Sequence, residues 1–202
     1  MTEKERMFAG KLYHPRRITE NQWNVIRPAC KKFNESEFWQ NHHALEELKC
    51  YFAKAEDDMV LTPPFYCYHG DKIYFGKHFY ANTGLTILDE NKVIFGDDVF
   101  LGPHVSIYTV GHPISAEVRN LGLEYSKPIK IGNSVWIGGN VVINPGVTIG
   151  DNVVIGSGSV ITKDIPNHVV AAGNPCKVIR QISEEEIKNW KEQLEEYQKE
   201  TL

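Results

Sequence analysis

Residues 131–166 read IGNSVW, IGGNVV, INPGVT, IGDNVV, IGSGSV and ITKDIP when they are written in sixes. An isoleucine begins every six, and most contain a second apolar residue four places further on, at Val135, Val141, Val147, Val153 and Ile165. This period is neither that of a helix nor that of simple strand alternation. A chain that turns every six residues builds stacked coils with three faces, so the repeat predicts a parallel β-helix.

The same register extends toward the N-terminus with two interruptions. Leu101 and Ile107 are six residues apart, and Ile131 follows Ile107 after a further 24 residues, which is a multiple of six. Residues 111–129 carry no repeat, so we expect them to leave the prism as an excursion loop and return to it. Loops of this length in a compact domain are usually functional. A slip of two residues at 89–92 predicts a short protruding turn.

Charge and hydropathy exclude several classes of partner. The 202 residues contain 22 basic and 26 acidic side chains, a net charge of −4, and this balance does not favour a nucleic-acid or anionic membrane surface. The chain has no run of about 18 apolar residues that could span a membrane. Residues 1–11 are charged and polar rather than signal-like, so we expect a cytoplasmic protein without membrane contact.

The cysteines do not suggest a metal centre. Cys30, Cys50, Cys67 and Cys176 show no CxxC spacing and have no histidine at metal-ligand spacing. Cytoplasmic thiols are normally kept reduced. We therefore expect reduced, structural thiols rather than disulfides or a metal site, and we expect no oxidative chemistry.

Helical patterns precede the repeat. Thr2 and Glu5 fit a capping box, and Ser36 is placed to begin a helix that carries Phe38, Trp39, Leu45, Leu48 and Phe52. The open end of a β-helix exposes unpaired strand edges that need a cover. We therefore assign residues 1–60 to an N-terminal helical cap.

The repeat and its excursion loop occupy residues 61–182. Beyond them, Ser183 and the glutamates that follow it predict the start of a C-terminal helix over residues 183–202. Apolar residues recur in it at spacings of three and four, so we expect the helix to pack on the last coil through Ile187, Trp190, Leu194 and Tyr197.

Chemistry has to come from side chains that the repeat does not require, and His112 is the strongest candidate. It lies where the regular coil ends and the excursion loop begins. Gly111 before it permits a tight backbone, and Pro113 after it restricts the backbone. An imidazole changes its protonation state near neutral pH, so it suits a general base, a role that contributes roughly 10² to 10⁴ in rate.

A second group of polar residues lies near the end of the repeat. Cations at Lys163, Lys177 and Arg180, with Thr162 beside the first, could hold a polyanion such as a phosphorylated cofactor. By composition alone, solvated surface charge is the favoured interpretation of these residues. Nothing resembles a P-loop or a dinucleotide-binding turn, because residues 156–158 are the small-residue corner of a coil.

Several motifs together closely resemble the galactoside and maltose O-acetyltransferases, which are hexapeptide-repeat acyltransferases. The motifs are Phe79-Tyr80-Ala81-Asn82, Gly111-His112-Pro113, Trp136-Ile137-Gly138, INPGVTIG at 143–150 and AAGNP at 171–175. The resemblance implies a mainly β fold, a left-handed parallel β-helix of hexapeptide repeats with the N-terminal helical cap and C-terminal helix. It also implies a homotrimer with active sites between subunits, acetyl-CoA as donor, and a hydroxyl of a sugar or glycoside as acceptor.

The resemblance further implies roles for single residues. His112 is the expected general base of a direct acetyl transfer, the Gly139 N–H is the expected oxyanion donor, and Asn82 is the third expected catalytic residue. The acceptor is expected to contact Tyr80, Asn82 and Glu124. The coenzyme is expected to contact Trp136, Gly139, Ser157, Thr162, Lys163, Lys177 and Arg180, and no metal is required.

The chain departs from the family's pattern in the part that binds the acceptor. Pro15 stands near the position of a family acidic residue, Trp23 aligns roughly with a family arginine, and Tyr68 replaces an Asp or Ser. A buried hydrogen bond to a substrate discriminates by factors of about 10⁴ to 10⁵. We therefore expect these changes to alter the acceptor rather than merely tune its affinity.

Three rival functions stay open at this level. An acetyltransferase for another acceptor, such as an amino sugar, a cell-surface glycan, a xenobiotic or serine, shares the donor site. A non-catalytic scaffold would bind no coenzyme. A β-helical carbonic anhydrase needs three zinc-binding histidines, for which His78, His104 and His112 are available, but it gives Lys163 and Arg180 no purpose.

Overall fold

Short strands joined by tight corners build a three-sided prism in the computed structural model, which describes residues 1–18, 25–37 and 42–201. In chain order the strands are β1 (Val60–Leu61), β2 (Tyr66–Cys67), β3 (Ile73–Tyr74), β4 (Tyr80–Ala81), β5 (Thr86–Leu88), β6 (Val93–Phe95), β7 (Phe100–Leu101), β8 (Ser106–Tyr108), β9 (Val110–Gly111), β10 (Tyr125–Ser126), β11 (Ile129–Ile131), β12 (Trp136–Ile137), β13 (Val142–Ile143), β14 (Thr148–Ile149), β15 (Val154–Ile155), β16 (Val160–Ile161), β17 (Val169–Ala172) and β18 (Lys177–Gln181).

Each face of the prism is a parallel sheet that receives one strand from each coil. Face 1 consists of β1, β4, β7, β12, β15 and β17, and the antiparallel strand β18 extends it. Face 2 consists of β2, β5, β8, β13 and β16, and face 3 of β3, β6, β11 and β14. The predicted parallel β-helix is therefore confirmed.

The hexad isoleucines point into the prism and stack between coils. On face 1, Ile137 pairs with Leu101 in the coil before it and with Ile155 in the coil after it. All six hexad isoleucines are at most 2% exposed. Burying an aliphatic side chain of this size stabilises the fold by about 2 kcal/mol. The period of six is thus the spacing that buries one aliphatic side chain on each face.

A ladder of side-chain hydrogen bonds joins the corners between face 3 and face 1. Three of its rungs run from Lys77 N–H to Asp97 Oδ1 (2.8 Å), from Asp97 N–H to Asn133 Oδ1 (2.9 Å), and from Asn133 N–H to Asp151 Oδ1 (2.7 Å). Gly132 permits this close stacking, because a Cβ there would lie 2.7 Å from the carbonyl carbon of Gly150 in the next coil.

In the part of the N-terminal region that the structure describes, three helices precede the prism, namely α1 (Glu3–Phe8), α2 (Arg27–Asn34) and α3 (His42–Lys49), with a 3₁₀ turn at Pro15–Arg17. The capping box predicted at Thr2 and Glu5 is confirmed, with both reciprocal hydrogen bonds present. Ser36 instead donates to the Phe33 carbonyl oxygen just beyond the end of α2 (2.6 Å). The predicted positions of Phe38 and Trp39 lie outside the described residues.

Apolar side chains of α2 and α3 continue the core of the prism. Phe33 and Leu48 are buried in the same cluster as the first coils. Phe52, just after α3, makes edge contacts with the rings of Phe65 and Phe75 at centroid distances of 5.8 and 5.0 Å. The helices therefore cover the open end of the hydrophobic interior.

The slip at residues 89–92 does not protrude, contrary to the sequence expectation. Asp89, Glu90 and Asn91 are at most 2% exposed. The Asn91 amide donates to the carbonyl oxygen of Met7 in α1 (3.3 Å) and to the hydroxyl of Ser126 in β10 (3.1 Å). The slip is buried because α1 and the returning excursion loop close over this corner.

The Asp89 carboxylate organises the segment that follows β2. It accepts hydrogen bonds from the backbone N–H groups of Tyr68 (2.8 Å), His69 (3.1 Å) and Gly70 (2.7 Å). The carboxylate is completely buried, so its removal leaves these N–H groups without their acceptor away from bulk solvent.

The excursion loop is held by a small antiparallel pair. Strand β9, just before His112, pairs with β10 at the end of the loop. Between them lies one further helix, α4 (Ala116–Arg119), which Ser115 caps. The loop is thus an ordered hairpin that leaves the corner between faces 2 and 3.

The chain ends in α5 (Glu184–Thr201). We expected this helix to pack on the last coil. Within one chain this prediction is wrong, because Trp190, Leu194 and Tyr197 are each more than half exposed. The amphipathic spacing identified an apolar side of the helix but not a surface that covers it. Among the described helices, including this one, none is both long and apolar enough to cross a membrane.

Replacing Asp89 with Ala should lower the free energy of unfolding by about 4 kcal/mol, because several buried N–H groups lose their acceptor together. The matched control is Asp151→Ala, which removes an exposed acceptor of the corner ladder and should lower it by less than about 1 kcal/mol. Urea unfolding at one protein concentration measures both variants. Equal losses would contradict the role of Asp89.

Candidate active site

One group of the expected site residues lies together on the outer surface of face 1. Tyr80, Phe100 and Trp136 occupy equivalent positions in successive coils and form a vertical aromatic row. Asn82 lies beside this row and donates from its amide to the Tyr80 hydroxyl (3.2 Å). These residues line a depression of about 380 Å³ together with Leu101 and Gly102. Trp136 is 58% exposed, so it lines this surface and is not core packing.

Gly139 lies at the corner that follows Trp136. The neighbouring amides of Gly138 and Asn140 bond carbonyl oxygens of adjacent coils, at 2.8 Å in each case. Within the described part of the chain, the Gly139 N–H has no such acceptor. A Cβ on Gly102 would lie 2.6 Å from the Gly139 nitrogen, so only glycine at 102 lets the two coils stack this closely. The arrangement offers a hydrogen-bond donor beside the aromatic row.

His112 lies in a second group, where the excursion loop begins. The imidazole is exposed, and its Nδ1 lies 3.3 Å from the Leu123 carbonyl oxygen on the other arm of the loop. Since a carbonyl oxygen only accepts, this contact favours the tautomer with the proton on Nδ1. Nε2 is then the nitrogen with a free lone pair.

Glu124 lies beside His112 and is tied to the N-terminal segment. Its backbone pairs with that of Tyr13, and its carboxylate accepts a hydrogen bond from the Tyr13 hydroxyl (2.9 Å). Burial raises the pKa of the Glu124 carboxyl, and the hydrogen bond from Tyr13 partly offsets this. Burial also raises the pKa of Tyr13 well above its ordinary range, so the phenol remains a donor.

The structure adds residues that the sequence did not single out. His69 Nε2 lies 3.4 Å from a carboxylate oxygen of Glu90, and both side chains are almost completely buried. His14 lies near Glu124, whose pKa its charge lowers. Among the described residues, neither His14 Nδ1 nor His69 Nε2 has a hydrogen-bond partner, although both atoms are buried. No signal in the repeat points to these contacts, because they join irregular segments that are distant in the sequence.

The residues that depart from the family's pattern at the acceptor positions lie in different parts of the structure. Pro15 begins the 3₁₀ turn that follows Tyr13, while Trp23 lies outside the described residues. Tyr68 is partly exposed, and burial raises its pKa, with contributions from the carboxylates of Glu90 and Glu124. Tyr68 therefore borders the acidic side of the His112 group.

The expected coenzyme residues are distributed along the far part of the prism. Lys177 and Arg180 lie on β18, next to Ala172 and Val170 of face 1. Arg180 forms an ion pair with Glu186 of α5, so its charge is partly engaged. The remaining three occupy exposed corners after β15 and β16, namely Ser157, Thr162 and Lys163.

One chain does not bring all of these residues together. Asn82 and Trp136 belong to face 1, whereas His112 leaves the corner between faces 2 and 3. The zinc alternative also lacks a common location within one chain. His78 precedes face 1 between Asp58 and Asp98, whereas His104 follows face 1, at a corner different from that of His112.

Comparison with known proteins agrees with this architecture. A family model described as the bacterial transferase hexapeptide, with six repeats, matches residues 128–163. The galactoside O-acetyltransferase of Escherichia coli K12 is 49% identical over 186 residues, which cover 91% of each chain.

Two solved structures are similar over almost their whole length. A galactoside acetyltransferase in complex with coenzyme A is 46% identical with a TM-score of 0.87, over 92% of this chain and 93% of that one. A maltose O-acetyltransferase from Clostridium difficile 630 is 44% identical with a TM-score of 0.85, over 91% and 99%. This chain therefore belongs to the galactoside and maltose O-acetyltransferase family of hexapeptide-repeat acetyltransferases.

Proposed function

We propose that this chain transfers an acetyl group from acetyl-CoA directly to a hydroxyl of a sugar or glycoside, as a cytoplasmic homotrimer with active sites between subunits. Relatives that are named for galactosides and maltose support the donor and acceptor classes. The observation that carries the proposal is the exposed His112 on an ordered loop, with Nδ1 directed at a carbonyl oxygen. In this proposal side chains and backbone groups of the protein supply the base and the oxyanion donor, and the transfer requires no metal.

His112 is the proposed general base. Its Nε2 takes the proton of the acceptor hydroxyl as that oxygen attacks the carbonyl carbon of the thioester. The C–S bond then breaks, the acetyl group remains on the acceptor oxygen, and the imidazolium returns the proton to the departing thiolate. The Leu123 carbonyl favours the tautomer that this role needs, at 3.3 Å from Nδ1.

The Gly139 N–H is the proposed donor to the oxyanion that forms during attack. It lies beside Trp136 and lacks a backbone acceptor within the described residues. A preorganised donor of this kind contributes about 3 kcal/mol to the transition state. Asn82 lies on the same surface, where it can hold the acceptor or orient the thioester. Its amide donates a hydrogen bond to the Tyr80 hydroxyl.

Face 1 offers a track for the coenzyme. Asn82, Gly102, Gly138, Gly156 and Ala172 follow one another across five neighbouring strands, and Lys177 pairs with the last of them. From Asn82 to Lys177 the track crosses five interstrand spacings of about 4.8 Å, so it is about 24 Å long. Most of these residues carry no long side chain, and the cations near its end suit the phosphates of the coenzyme. We propose that Thr162, Lys163 and Arg180 contact the same coenzyme.

The separation of the two groups supports a site that is shared between subunits. His112 and Glu124 project from one corner of the prism, whereas Asn82 and Trp136 lie on a different face. In a closed three-fold assembly, the corner of one subunit can meet the face of the next. We propose that each active site combines the His112 group of one subunit with the face 1 group of its neighbour.

The acceptor is proposed to be a sugar or glycoside bound near Glu124 and Tyr80. The buried carboxylate of Glu90 and the partly exposed Tyr68 border this region. Tyr68, like Pro15, differs from the family's usual acceptor contacts. An amino sugar, another glycan, a xenobiotic or serine is therefore the alternative acceptor.

His112→Ala should lower turnover by about 10² to 10⁴, because the acceptor hydroxyl loses its base. Thiol release from acetyl-CoA, measured with glucose, maltose, galactosides, glucosamine and serine, tests the reaction and the acceptor together. His168→Ala is the control, since His168 lies at a distant corner and bonds Asn152. Turnover within threefold of wild type in His112→Ala would refute the base assignment.

Mixing His112→Ala subunits with Asn82→Ala subunits in equal amounts should restore about one quarter of the sites, because a shared site then receives both intact residues at random. The control mixes the double variant with wild type. Shared sites predict about one quarter of wild-type activity there, whereas sites within one chain predict about one half. No restoration in the first mixture would exclude sharing.

Tyr13→Phe should destabilise the protein by about 2 kcal/mol at pH 8 and by less in acid. Burial raises the folded-state pKa of Glu124, so the ionised carboxylate opposes folding above that pKa. Loss of the Tyr13 hydroxyl raises the folded-state pKa of Glu124 further, so the ionised carboxylate destabilises the variant more than it destabilises the wild type. Below the unfolded pKa of about 4.3, the carboxyl is protonated in both states, so the pH-dependent part of the destabilisation disappears.

Unfolding free energies measured from pH 4 to pH 8 test this dependence. Tyr66→Phe is the control, because that ring is 53% exposed and should show a small, pH-independent change. A Tyr13→Phe effect that is constant with pH would contradict the coupling to Glu124.

A further inference from the structure

Two cysteines that the proposed acetyl transfer does not use face each other between α2 and β2. Asn34 fixes the register of this contact, because its amide nitrogen donates to the Phe65 carbonyl oxygen (2.9 Å) and its oxygen accepts from the Phe65 N–H (2.7 Å). Cys30 lies four residues before Asn34, about 6 Å along the helix. Cys67 lies two residues after Phe65, about 6.6 Å along the strand. These displacements match, and both side chains line one cavity, so Cys30 lies on the side of α2 that faces Cys67.

The two thiols also influence each other's pKa. Hydrogen bonding with Cys67 lowers the pKa of Cys30, although burial and the Asp89 carboxylate both act to raise it. The same side-chain hydrogen bond, together with burial, raises the pKa of Cys67 well above its ordinary value. The lowered pKa favours Cys30 as the attacking thiol of the pair, with Cys67 as the resolving thiol.

A cavity gives small reagents access to this pair. It has a volume of about 660 Å³, lies between α2 and face 2, and is lined by both cysteines. Arg27, Lys31 and Glu35 of α2 line the same cavity, and the last two form an ion pair (3.8 Å). Tyr66, also in its lining, is 53% exposed, so the cavity reaches solvent. All four cysteines of the chain are free in this structure.

We propose that Cys30 and Cys67 form a reversible dithiol site that reacts with small-molecule disulfides. The Cys30 thiolate attacks one sulfur of the reagent, a mixed disulfide forms, and one thiolate leaves. Cys67 loses its proton and attacks the Cys30 sulfur, which releases the second thiol. Two protein thiols are oxidised to one disulfide, and the reagent is reduced to two thiols. The new bond ties α2 to the first coil beside Phe65.

Folded protein incubated with 2-hydroxyethyl disulfide tests this site, with non-reducing digestion and mass spectrometry as the readout. A Cys50→Ser background removes the exposed thiol that would react on its own. The expected product is a peptide pair joined through Cys30 and Cys67. The cross-link should raise the thermal midpoint by roughly 5 to 10 °C, and a reductant should reverse the rise.

Variants in the same background separate the two roles. Cys67→Ser should stop at a mixed disulfide on Cys30, whereas Cys30→Ser should leave Cys67 unmodified. Cys30→Ala replaces Cys30→Ser if the buried hydroxyl prevents folding. Unmodified Cys30 and Cys67 in the folded protein, or a cross-link that forms only in urea, would overturn the site. An adduct on Cys67 in Cys30→Ser that forms as fast as the wild-type cross-link would overturn the assignment of Cys30 as attacking thiol.

Discussion

The parallel stacking of one coil on the next is the constraint on which every other feature of this protein depends. Backbone hydrogen bonds between coils, such as Trp136 N–H to the Val153 carbonyl oxygen, set the spacing of the strands. Inside them, aliphatic side chains of equivalent positions meet in columns. Once the register is set, outward residues also form rows. The aromatic row at Tyr80, Phe100 and Trp136 is a direct result of that register.

The places where the repeat is interrupted hold the chemistry that the repeat lacks. A regular coil presents short rows of small and apolar side chains, which suit an extended ligand but provide no base. The excursion loop supplies His112 and Glu124, and the slip at 89–92 supplies Glu90. Both interruptions lie at the corner between faces 2 and 3, where α1 also packs. Rigid stacking therefore positions an irregular, polar corner with side chains that the core does not need.

The helical cap connects stability and chemistry at this corner. Tyr13 is 1% exposed and donates to the Glu124 carboxylate, so the N-terminal segment holds a site residue directly. Asn91 joins α1 to the end of the excursion loop through Met7 and Ser126. Further along the cap, Asn34 fixes α2 on the first coil, which brings Cys30 to Cys67. The cap thus covers the hydrophobic interior and also orders the residues around His112.

Much of this fold could be predicted from the sequence, because the buried residues recur with a fixed period. One aliphatic residue every six predicts the prism, and the break after Ile107 predicts the loop that carries His112, because both depend on spacing along the chain. The buried slip at 89–92, the contact of His69 with Glu90 and the exposed apolar side of α5 could not be predicted in this way. Spacing along the chain shows where extra or apolar residues occur. It does not show which distant segment packs over them. Those contacts depend on how α1, the excursion loop and the prism pack together, and such packing becomes visible only in three dimensions.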